Sequence, residues 1–290
     1  MRIVVLGASG QIGSVIYNAL KRHHEVVGTS RKQSGELIQF DPFRDAWSML
    51  GKSDIFINCV GQIEASPGSS FYKIHVELTK LIVLNRLAIG NPRIIQISAL
   101  GASANHKVEF LKTKGMADGH LLQHSNTVVV KPSIVCTHRT MIVQKMLMLL
   151  KISKYTQGLI FAPKRFLNSQ IQPVMPQDLA ALVASLCTTQ YLPKVIDVVG
   201  PERLSFHQII NFMFQTKRRG YRIVPVPKAL TNVLVEYGVC LLFPKVITSQ
   251  QYQLLFDDNI ADAAPAERIL GTPLTPTKQF FINEFSYAGH

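Results

Sequence analysis

Three glycines near the start of the chain have a spacing that suits the binding of a nucleotide diphosphate. Gly7, Gly10 and Gly13 follow the apolar run at residues 3–6, which is typical of a strand buried on both faces. They precede an amphipathic segment, residues 11–22, which predicts a helix. Gly7 allows a tight turn, Gly10 lets the backbone approach a pyrophosphate, and Gly13 lets helix and strand pack closely.

The start of that predicted helix offers free N–H groups and the positive end of the helix dipole to an anion. Because the glycines stand between a strand and a helix, the pattern predicts a dinucleotide site rather than a glycine-rich turn of some other α/β protein. The residues expected to line this site are Gly7, Ser9, Gly10, Gln11, Ile12 and Gly13.

The second predicted strand, which begins at Glu25, indicates which dinucleotide binds. An NAD site usually has a carboxylate near the end of this strand, where it bonds the ribose 2′-hydroxyl. This strand instead leads into Ser30, Arg31 and Lys32. Ser30 and Arg31 can bind a 2′-phosphate through charge-assisted hydrogen bonds, so we expect NADP(H) in preference to NAD(H). The alternative is a solvated Arg31–Lys32 pair in a loop.

The composition is that of a folded protein with a large positive charge. The chain has 290 residues, of which 47% are hydrophobic and 17% charged, and its formal net charge is +13. Such a charge can attract nucleic acid, anionic lipid or an acidic partner. The cations are spread along the chain, with only residues 217–219 clustered, and no nucleic-acid-binding motif accompanies them. We therefore expect no nucleic acid partner.

Neither a metal site nor a membrane span is predicted. Four scattered cysteines, at positions 59, 136, 187 and 240, have no metal-ligand or disulfide spacing. The apolar stretches at residues 141–150 and 229–243 are shorter than the roughly twenty apolar residues that a spanning helix needs. An interfacial helix on anionic lipid is the alternative for them, and it would allow peripheral membrane association. A first strand at residue 2 leaves no room for a targeting peptide, which predicts a cytoplasmic location.

Strand and helix signals alternate along the first half of the chain. This rhythm predicts an α/β fold with a Rossmann doubly wound parallel sheet in residues 1–138, onto which residues 171–200 pack back. Residues 139–290 are expected to form a smaller, mostly helical C-terminal lobe. The detailed expectations are a helix from Asp41 through Trp47, helices near residues 71–88 and 110–124, and a helix capped by Asp178.

Ligands of such folds bind at the carboxyl ends of the strands. Asp41 can bond an adenine amino group or, alternatively, cap a helix at residues 42–50. Backbone groups of Cys59, Val60 and Gly61 are expected to line the ribose and the nicotinamide. The complete set of predicted strand ends is Gly7, Ser30, Asp41, Cys59, Val60, Gly61, Ser98, Pro132 and Ser133.

Short segments spread over nearly the whole chain resemble a known superfamily in their order and spacing. They lie at residues 7–13, 57–61, 96–102, 112–115, 131–135, 172–174, 199–202, 224–227 and 258–259. On these segments the chain resembles the extended and atypical short-chain dehydrogenase/reductases, among them proteins of the NAD-dependent epimerase/dehydratase type. It is most similar to the branch that contains the large NADPH-binding accessory subunit of respiratory complex I.

The resemblance also implies where catalytic groups should be. Active members use a tyrosine four residues before a lysine as their acid/base, and that lysine holds the nicotinamide ribose. Lys114 stands at the lysine position, but the residue four earlier is Phe110, which has no proton to give. The family serine aligns with Ala99, and a shift of one residue would place Ser98 there. Residues 132–133 match the segment whose backbone holds the nicotinamide carboxamide.

Two functions of different classes follow. In the first, the chain binds NADP(H) without catalysis and acts as a scaffold, assembly or sensing protein, with a protein partner or a membrane-surface complex. In the second, it is an NADP(H)-dependent reductase of a small carbonyl compound with an unusual proton donor. The candidate donors are His75, His106, Tyr72 and Tyr155. A sugar-nucleotide epimerase ranks behind both, because it depends on the same tyrosine.

Overall fold

A seven-stranded parallel sheet forms the centre of the fold. The computed structural model describes residues 1–62, 70–138, 140–190, 192–227 and 253–287. The strands in them are β1 Arg2–Leu6, β2 Glu25–Ser30, β3 Ile38–Gln39, β4 Ile55–Asn58, β5 Arg93–Ile97, β6 Thr127–Pro132, β7 Leu159–Ala162, β8 Gln170–Ile171, β9 Val195–Val198, β10 Leu204–Ser205 and β11 Arg222–Pro225. The sheet has the order β3-β2-β1-β4-β5-β6-β9 with parallel neighbours throughout, which confirms the predicted doubly wound Rossmann architecture.

Helices cover both faces of this sheet. They are α1 Gln11–Leu20, α2 Leu78–Leu84, α3 Glu109–Leu121, α4 Met141–Ser153, α5 Lys164–Asn168, α6 Pro176–Thr188, α7 Phe206–Thr216, α8 Ala264–Leu270 and α9 Lys278–Tyr287. Side chains of α1, α6 and α8 pack on one face, and those of α2 and α3 on the other. Side chains of β1 alternate between the two faces of the sheet. Ile3 and Val5 pack with α1, α6 and α8, and Val4 and Leu6 pack with α2 and α3.

The other described elements form a smaller, mostly helical C-terminal lobe, as predicted. Helices α4, α5, α7 and α9 contribute to a separate apolar cluster that includes Phe206 and Phe281. Two short sheets complete the lobe: β7 pairs with β11 in parallel, and β8 pairs with β10 antiparallel. In the sequence α6 and β9 lie between elements of the lobe, but α6 packs on the main sheet and β9 pairs with β6 in it. The division of the chain at residues 138 and 139 stays a prediction.

The helix predicted from Asp41 through Trp47 is wrong. The segment forms turns and then a short 3₁₀ helix, Trp47–Leu50. Asp41 Oδ1 accepts the Phe43 N–H at 3.0 Å, while Asp45 Oδ2 accepts the Asp41 N–H at 2.7 Å. Carboxylates that bond nearby backbone groups in this way compete with helix formation. Asp41 therefore caps no helix at residues 42–50.

Two further helices differ from expectation. The helix predicted at residues 71–88 ends earlier, at Leu84, and contains a π-helical turn at Lys73–Glu77. Asp178 lies in the first turn of α6 rather than at its cap, which is Met175 followed by Pro176. Its carboxylate instead accepts bonds from the N–H and hydroxyl of Thr275, at 2.7 and 2.9 Å. This contact joins α6 to the segment between α8 and α9.

The apolar stretches considered for membrane contact have different outcomes. Residues 141–150 lie in α4, where Ile142, Val143, Met146 and Leu150 are buried. Residues 229–243 lie outside the described residues, as does Cys240. No helix in the described part of the chain is long and apolar enough to cross a membrane.

The contact between the glycine loop and α1 gives a stability prediction. A Cβ at residue 13 would lie 2.2 Å from the Gly7 carbonyl oxygen, so Gly13→Ala should lower the free energy of unfolding by about 1–3 kcal/mol. Gly119 in α3 has no atom within 4 Å of its would-be Cβ, so Gly119→Ala should raise that free energy by about 0.5–1 kcal/mol. Urea unfolding of both variants measures the two values, and a harmless Gly13→Ala would contradict the close approach.

Candidate functional site

The glycine loop presents an uncapped helix start at the carboxyl end of β1. Gly7 has φ +82°, a left-handed conformation that favours glycine, and the Gly10 N–H donates to the Gly7 carbonyl at 3.0 Å. Gly10 is the N-cap of α1, so no side chain caps this helix, and no acidic residue lies in its first turn. The N–H groups of the helix start are therefore available to an anion. Ser9, Gly10 and Gln11 are exposed there, and Ile12 is half-buried.

The carboxyl end of β2 lies beside this loop. The Ala8 N–H donates to the Thr29 carbonyl at 2.9 Å, which joins the glycine loop to β2. Ser30 is buried, and its Oγ accepts the Lys32 N–H at 3.3 Å. Arg31 is exposed, and its guanidinium has no hydrogen-bond or ion-pair partner among the described residues. The structure thus places one unpaired cation next to the edge where the predicted nucleotide would lie.

Asp41 follows β3 at the same edge of the sheet. The Phe40 N–H donates to the Ser30 carbonyl at 2.9 Å, so Asp41 stands one residue beyond the contact between the two strands. Its carboxylate already bonds the Phe43 N–H and lies 3.7 Å from the exposed Arg44 guanidinium. Asp41 lies near the place predicted for the adenine, but its carboxylate oxygens already contact Phe43 and Arg44 of the same turn.

The end of β4 runs directly over the glycine loop. The Cys59 N–H donates to the Leu6 carbonyl at 3.0 Å, and a Cβ on Gly7 would lie 3.0 Å from a Val60 methyl group. Burial raises the pKa of the Cys59 thiol to about 12, so it stays protonated. The next residue is Gly61, and a Cβ added to it would lie 3.2 Å from the Lys114 ammonium. These residues connect the glycine loop to Lys114.

Lys114 is a buried cation in the middle of α3. Only 5% of it is exposed, and its Nζ donates to the Ile97 carbonyl at 3.1 Å. Burial lowers its pKa to about 8, although Asp118 and Cys59 act in the opposite direction. The bond to the Ile97 carbonyl places the Lys114 ammonium at the carboxyl end of β5, and its role towards a nicotinamide ribose stays a prediction.

A second buried charge, Asp118, organises the groups around Lys114. Its Oδ2 accepts the Ser98 hydroxyl at 2.7 Å and lies 3.7 Å from the Lys131 ammonium, while its buried Oδ1 has no partner. Burial raises the pKa of this carboxyl group. Lys131 donates to the Ala102 carbonyl at 2.9 Å. Sequence reasoning missed Asp118, although its position one helical turn after Lys114 is a signal that could have found it.

Aromatic rings surround Phe110, four residues before Lys114 on α3. The Phe110 ring centroid lies 6.0 Å from that of Phe71, 5.7 Å from that of His75 and 6.0 Å from the Lys114 ammonium. His75 is 3% exposed, and burial together with the Lys114 charge lowers its pKa to about 3. Its imidazole is therefore neutral at physiological pH.

The other three candidate donors lie in different surroundings. Tyr72 is 39% exposed beside the π-helical turn, and its ring lies 5.9 Å from the Lys80 ammonium. His106 follows β5 in a loop, where its Nδ1 accepts the Val108 N–H at 3.0 Å. Tyr155 follows α4 in the C-terminal lobe and is 87% exposed. The described contacts bring none of these three to Phe110.

The segment after β6 joins the sheet edge to the C-terminal part of the chain. Pro132 ends β6, and the hydroxyl of Ser133 donates to Asn259 Oδ1 at 2.5 Å. Thr137 donates to Gln11 Oε1 at 2.7 Å, which brings this segment to the glycine loop. Sequence reasoning assigned no contact to Asn259 or Thr137. In the described part of the chain no three His, Cys, Asp or Glu residues are grouped so that they could hold a metal.

Solved structures with this arrangement of elements include nucleotide-dependent enzymes. A variant of UDP-glucuronic acid 4-epimerase from Bacillus cereus, in complex with a fluorinated UDP-sugar and NAD, is 14% identical over 99% of both chains with a TM-score of 0.73. A short-chain dehydrogenase/reductase superfamily protein from Agrobacterium tumefaciens with bound NAD is 13% identical over 99% and 97%, with a TM-score of 0.72. RMD from Pseudomonas aeruginosa, complexed with NADPH, is 14% identical over 98% and 97%, with a TM-score of 0.65.

The chain therefore shares the Rossmann-type α/β fold of these structures. In sequence it is similar to the mitochondrial NADH dehydrogenase (ubiquinone) 1 alpha subcomplex subunit 9 of Arabidopsis thaliana, with 24% identity over 252 residues. That match covers 79% of this chain and 61% of the relative, so the chain spans about three-fifths of the relative's length. No family model matches the chain. The predicted resemblance to this superfamily and to a complex I subunit is confirmed.

The buried Lys114 makes the free energy of unfolding depend on pH. Between its folded pKa of about 8 and its ordinary value of 10.5, the unfolded chain holds a proton that the folded chain releases. The free energy of unfolding contributed by this group therefore rises with pH in that interval. Relative to Lys114→Met, the wild type should gain up to about 3 kcal/mol between pH 8 and 10.5. Urea unfolding at several pH values measures the difference, and a flat difference would contradict the buried cation.

Proposed function

We propose that this chain binds NADP(H) in preference to NAD(H) and acts as a nucleotide-binding scaffold, assembly or sensing protein rather than as an enzyme. The observation that carries the proposal is the pairing of Lys114 with Phe110 on α3. The lysine that would hold the nicotinamide ribose is kept, whereas the residue that would move a proton is an aromatic ring without a hydroxyl group.

The dinucleotide part of the proposal is supported by the glycine loop. An uncapped helix start, a left-handed Gly7 and a Gly13 that touches the Gly7 carbonyl form a backbone cradle for a pyrophosphate. Structures of similar fold contain bound NAD or NADPH. The preference for NADP(H) is supported by Arg31, an exposed cation with no described partner, and by the lack of a carboxylate at the end of β2.

The non-catalytic part is supported by the state of the groups near Phe110. Hydride transfer to a carbonyl requires a proton for the developing alkoxide. Burial and the Lys114 charge lower the pKa of His75 to about 3, so its imidazole is neutral. The Ser98 hydroxyl donates its hydrogen bond to the Asp118 carboxylate. Neither His75 nor Ser98 is therefore an acid that could supply the proton at physiological pH.

The scaffold role draws on the similarity to a subunit of NADH dehydrogenase (ubiquinone). We propose that this chain also works within, or in the assembly of, a protein complex. A cytoplasmic location stays a prediction, and the Arabidopsis relative is mitochondrial. The second candidate function, an NADP(H)-dependent carbonyl reductase, is favoured by the retention of Lys114 and Ser98 close together at the end of β5.

Arg31 provides the test of cofactor preference. Arg31→Ala should weaken NADPH binding about 10- to 100-fold, because it removes charge-assisted bonds of about 1.5–3 kcal/mol to the 2′-phosphate. NADH binding should change less than twofold. Arg22→Ala, an exposed arginine at the other end of α1, is the matched control and should leave both affinities unchanged. Fluorescence titration measures the affinities, and equal losses for both nucleotides would contradict the phosphate contact.

Turnover measurements test whether the protein is an enzyme. Wild-type protein saturated with NADPH should show a thermal shift, since a hundredfold excess over Kd stabilises by about 2.7 kcal/mol. With a panel of aldehydes and ketones it should oxidise NADPH no faster than buffer. Phe110→Tyr should bind NADPH with unchanged affinity and is the variant in which any turnover should first appear. Turnover by the wild type would instead establish the reductase.

A further inference from the structure

The C-terminal lobe contains a cavity where α5, the start of α7 and β11 meet. Its volume is about 580 Å³, which lies within the range of small-molecule sites in proteins. Leu167, Ile223 and Pro225 form its apolar wall, and the first two also pack in the apolar cluster of the lobe. All of the lining residues belong to this lobe, so the cavity is separate from the glycine loop and from α3.

The elements around the cavity are held in place by their own packing. Phe166 of α5 stacks on Phe206 of α7, with ring centroids 4.5 Å apart. The Tyr221 ring, which lines the cavity just before β11, lies 4.7 Å from that of Phe214. Strand β11 itself is fixed by its parallel pairing with β7. The cavity is therefore bounded by packed helices and a paired strand.

The polar side chains of the cavity are all able to donate hydrogen bonds. They are Lys164, Asn168, His207, Tyr221 and Arg222. None of the five makes a side-chain hydrogen bond or an ion pair with another described residue. Burial raises the pKa of the Tyr221 hydroxyl, which therefore keeps its proton at neutral pH. The lining includes no aspartate or glutamate, so it presents two positive charges and several donors to a ligand.

The charge of the surrounding chain favours the same kind of ligand. Residues 140–171 and 203–227 supply α4, α5, α7 and the short strands of the lobe, and they contain ten lysines and arginines and no aspartate or glutamate. Asp257 approaches these segments but pairs with Arg165 at 3.4 Å, and Arg165 does not line the cavity. A pocket lined by charges of one sign concentrates ligands of the opposite sign. The cavity is thus suited to an anion.

We propose that this cavity binds a small organic anion with an apolar body, of the class of a medium-chain carboxylate. The charged head would bond Lys164, Arg222 and the Tyr221 hydroxyl, and the chain would pack on Leu167 and Ile223. A phosphate head has the same chemistry, whether it comes from a free amphiphile or from a lipid in a bilayer. The inference goes beyond the proposed function, because it involves no residue of the predicted nucleotide site.

Isothermal titration calorimetry of the full-length protein with octanoate tests the proposal. Octanoate should bind with one-to-one stoichiometry. Octan-1-ol, which has the chain without the charge, should bind at least tenfold more weakly, and acetate, which has the charge without the chain, should not bind measurably. Saturating NADPH should change the octanoate affinity less than twofold, so that a failure of nucleotide binding leaves the cavity proposal untouched.

Charge-removing variants locate the site. Arg222→Gln and Lys164→Gln should each weaken octanoate binding about tenfold, because each removes a charge-assisted bond to the head, and should leave octan-1-ol binding within twofold. Arg203→Gln and Lys154→Gln are the matched controls. They remove the same charges at exposed positions of the same segments, outside the lining of the cavity, and should leave octanoate binding within twofold.

A cavity-filling variant distinguishes the cavity from the charged surface around it. Asn168→Trp adds bulk to the lining and should weaken octanoate binding at least tenfold. Flotation with vesicles of phosphatidylcholine and phosphatidylglycerol shows whether the source is a bilayer, and vesicle binding that Asn168→Trp also removes would identify a lipid head in the cavity. No octanoate binding by the wild type, equal losses in the control variants, or vesicle binding that Asn168→Trp leaves unchanged without any octanoate binding would overturn the proposal.

Discussion

The burial of the Lys114 ammonium is the constraint on which the rest of the site depends. A cation taken out of water requires compensation, and here the Ile97 carbonyl and the nearby Asp118 carboxylate provide it. Asp118 is then a buried charge itself, and its compensation comes from Ser98 and Lys131. The end of β5, the end of β6 and one face of α3 are thus held in register by charge as well as by packing.

The same burial accounts for the chemical character of the site. Removing water lowers the pKa values of Lys114 and His75 and raises that of Asp118, so each group is pushed towards its neutral form. Phe110 completes this environment with an apolar ring. The site thus combines an apolar wall with ionisable groups whose charged forms are disfavoured by burial.

Much of the sheet could be predicted because parallel strands buried on both faces read as continuous apolar runs. The glycine loop could be predicted as well, since the close approach that requires Gly13 is to the Gly7 carbonyl, only six residues earlier. The helix expected before Trp47 is absent because the carboxylates of Asp41 and Asp45 bond backbone groups of their own turn. The Trp47 ring then packs against Phe40 and Phe56, with centroids 5.6 and 5.9 Å away.

Side chains with distant partners were the least predictable. The sequence around Asp178 predicted a helix cap, but its carboxylate accepts a bond from Thr275, almost a hundred residues further along the chain. In the candidate site, too, some residues were identified from the sequence and others only from the structure. Lys114 and Phe110 were singled out by the resemblance to a known superfamily, whereas the contacts of Asp118 with Lys131 and of Asn259 with Ser133 join segments that are distant in the sequence.

The contacts of Asn259 give the proposed sensing role a physical route. Its side chain accepts the Ser133 hydroxyl at the end of β6, and its backbone bonds Gln170 and Gln172 in and after β8. The Gln172 side chain in turn bonds Gly200 and Ala261. The edge of the sheet where a nicotinamide would lie is therefore tied by hydrogen bonds to the C-terminal lobe. A ligand bound against Ser133 would therefore contact a residue that is itself hydrogen-bonded to the C-terminal part of the chain.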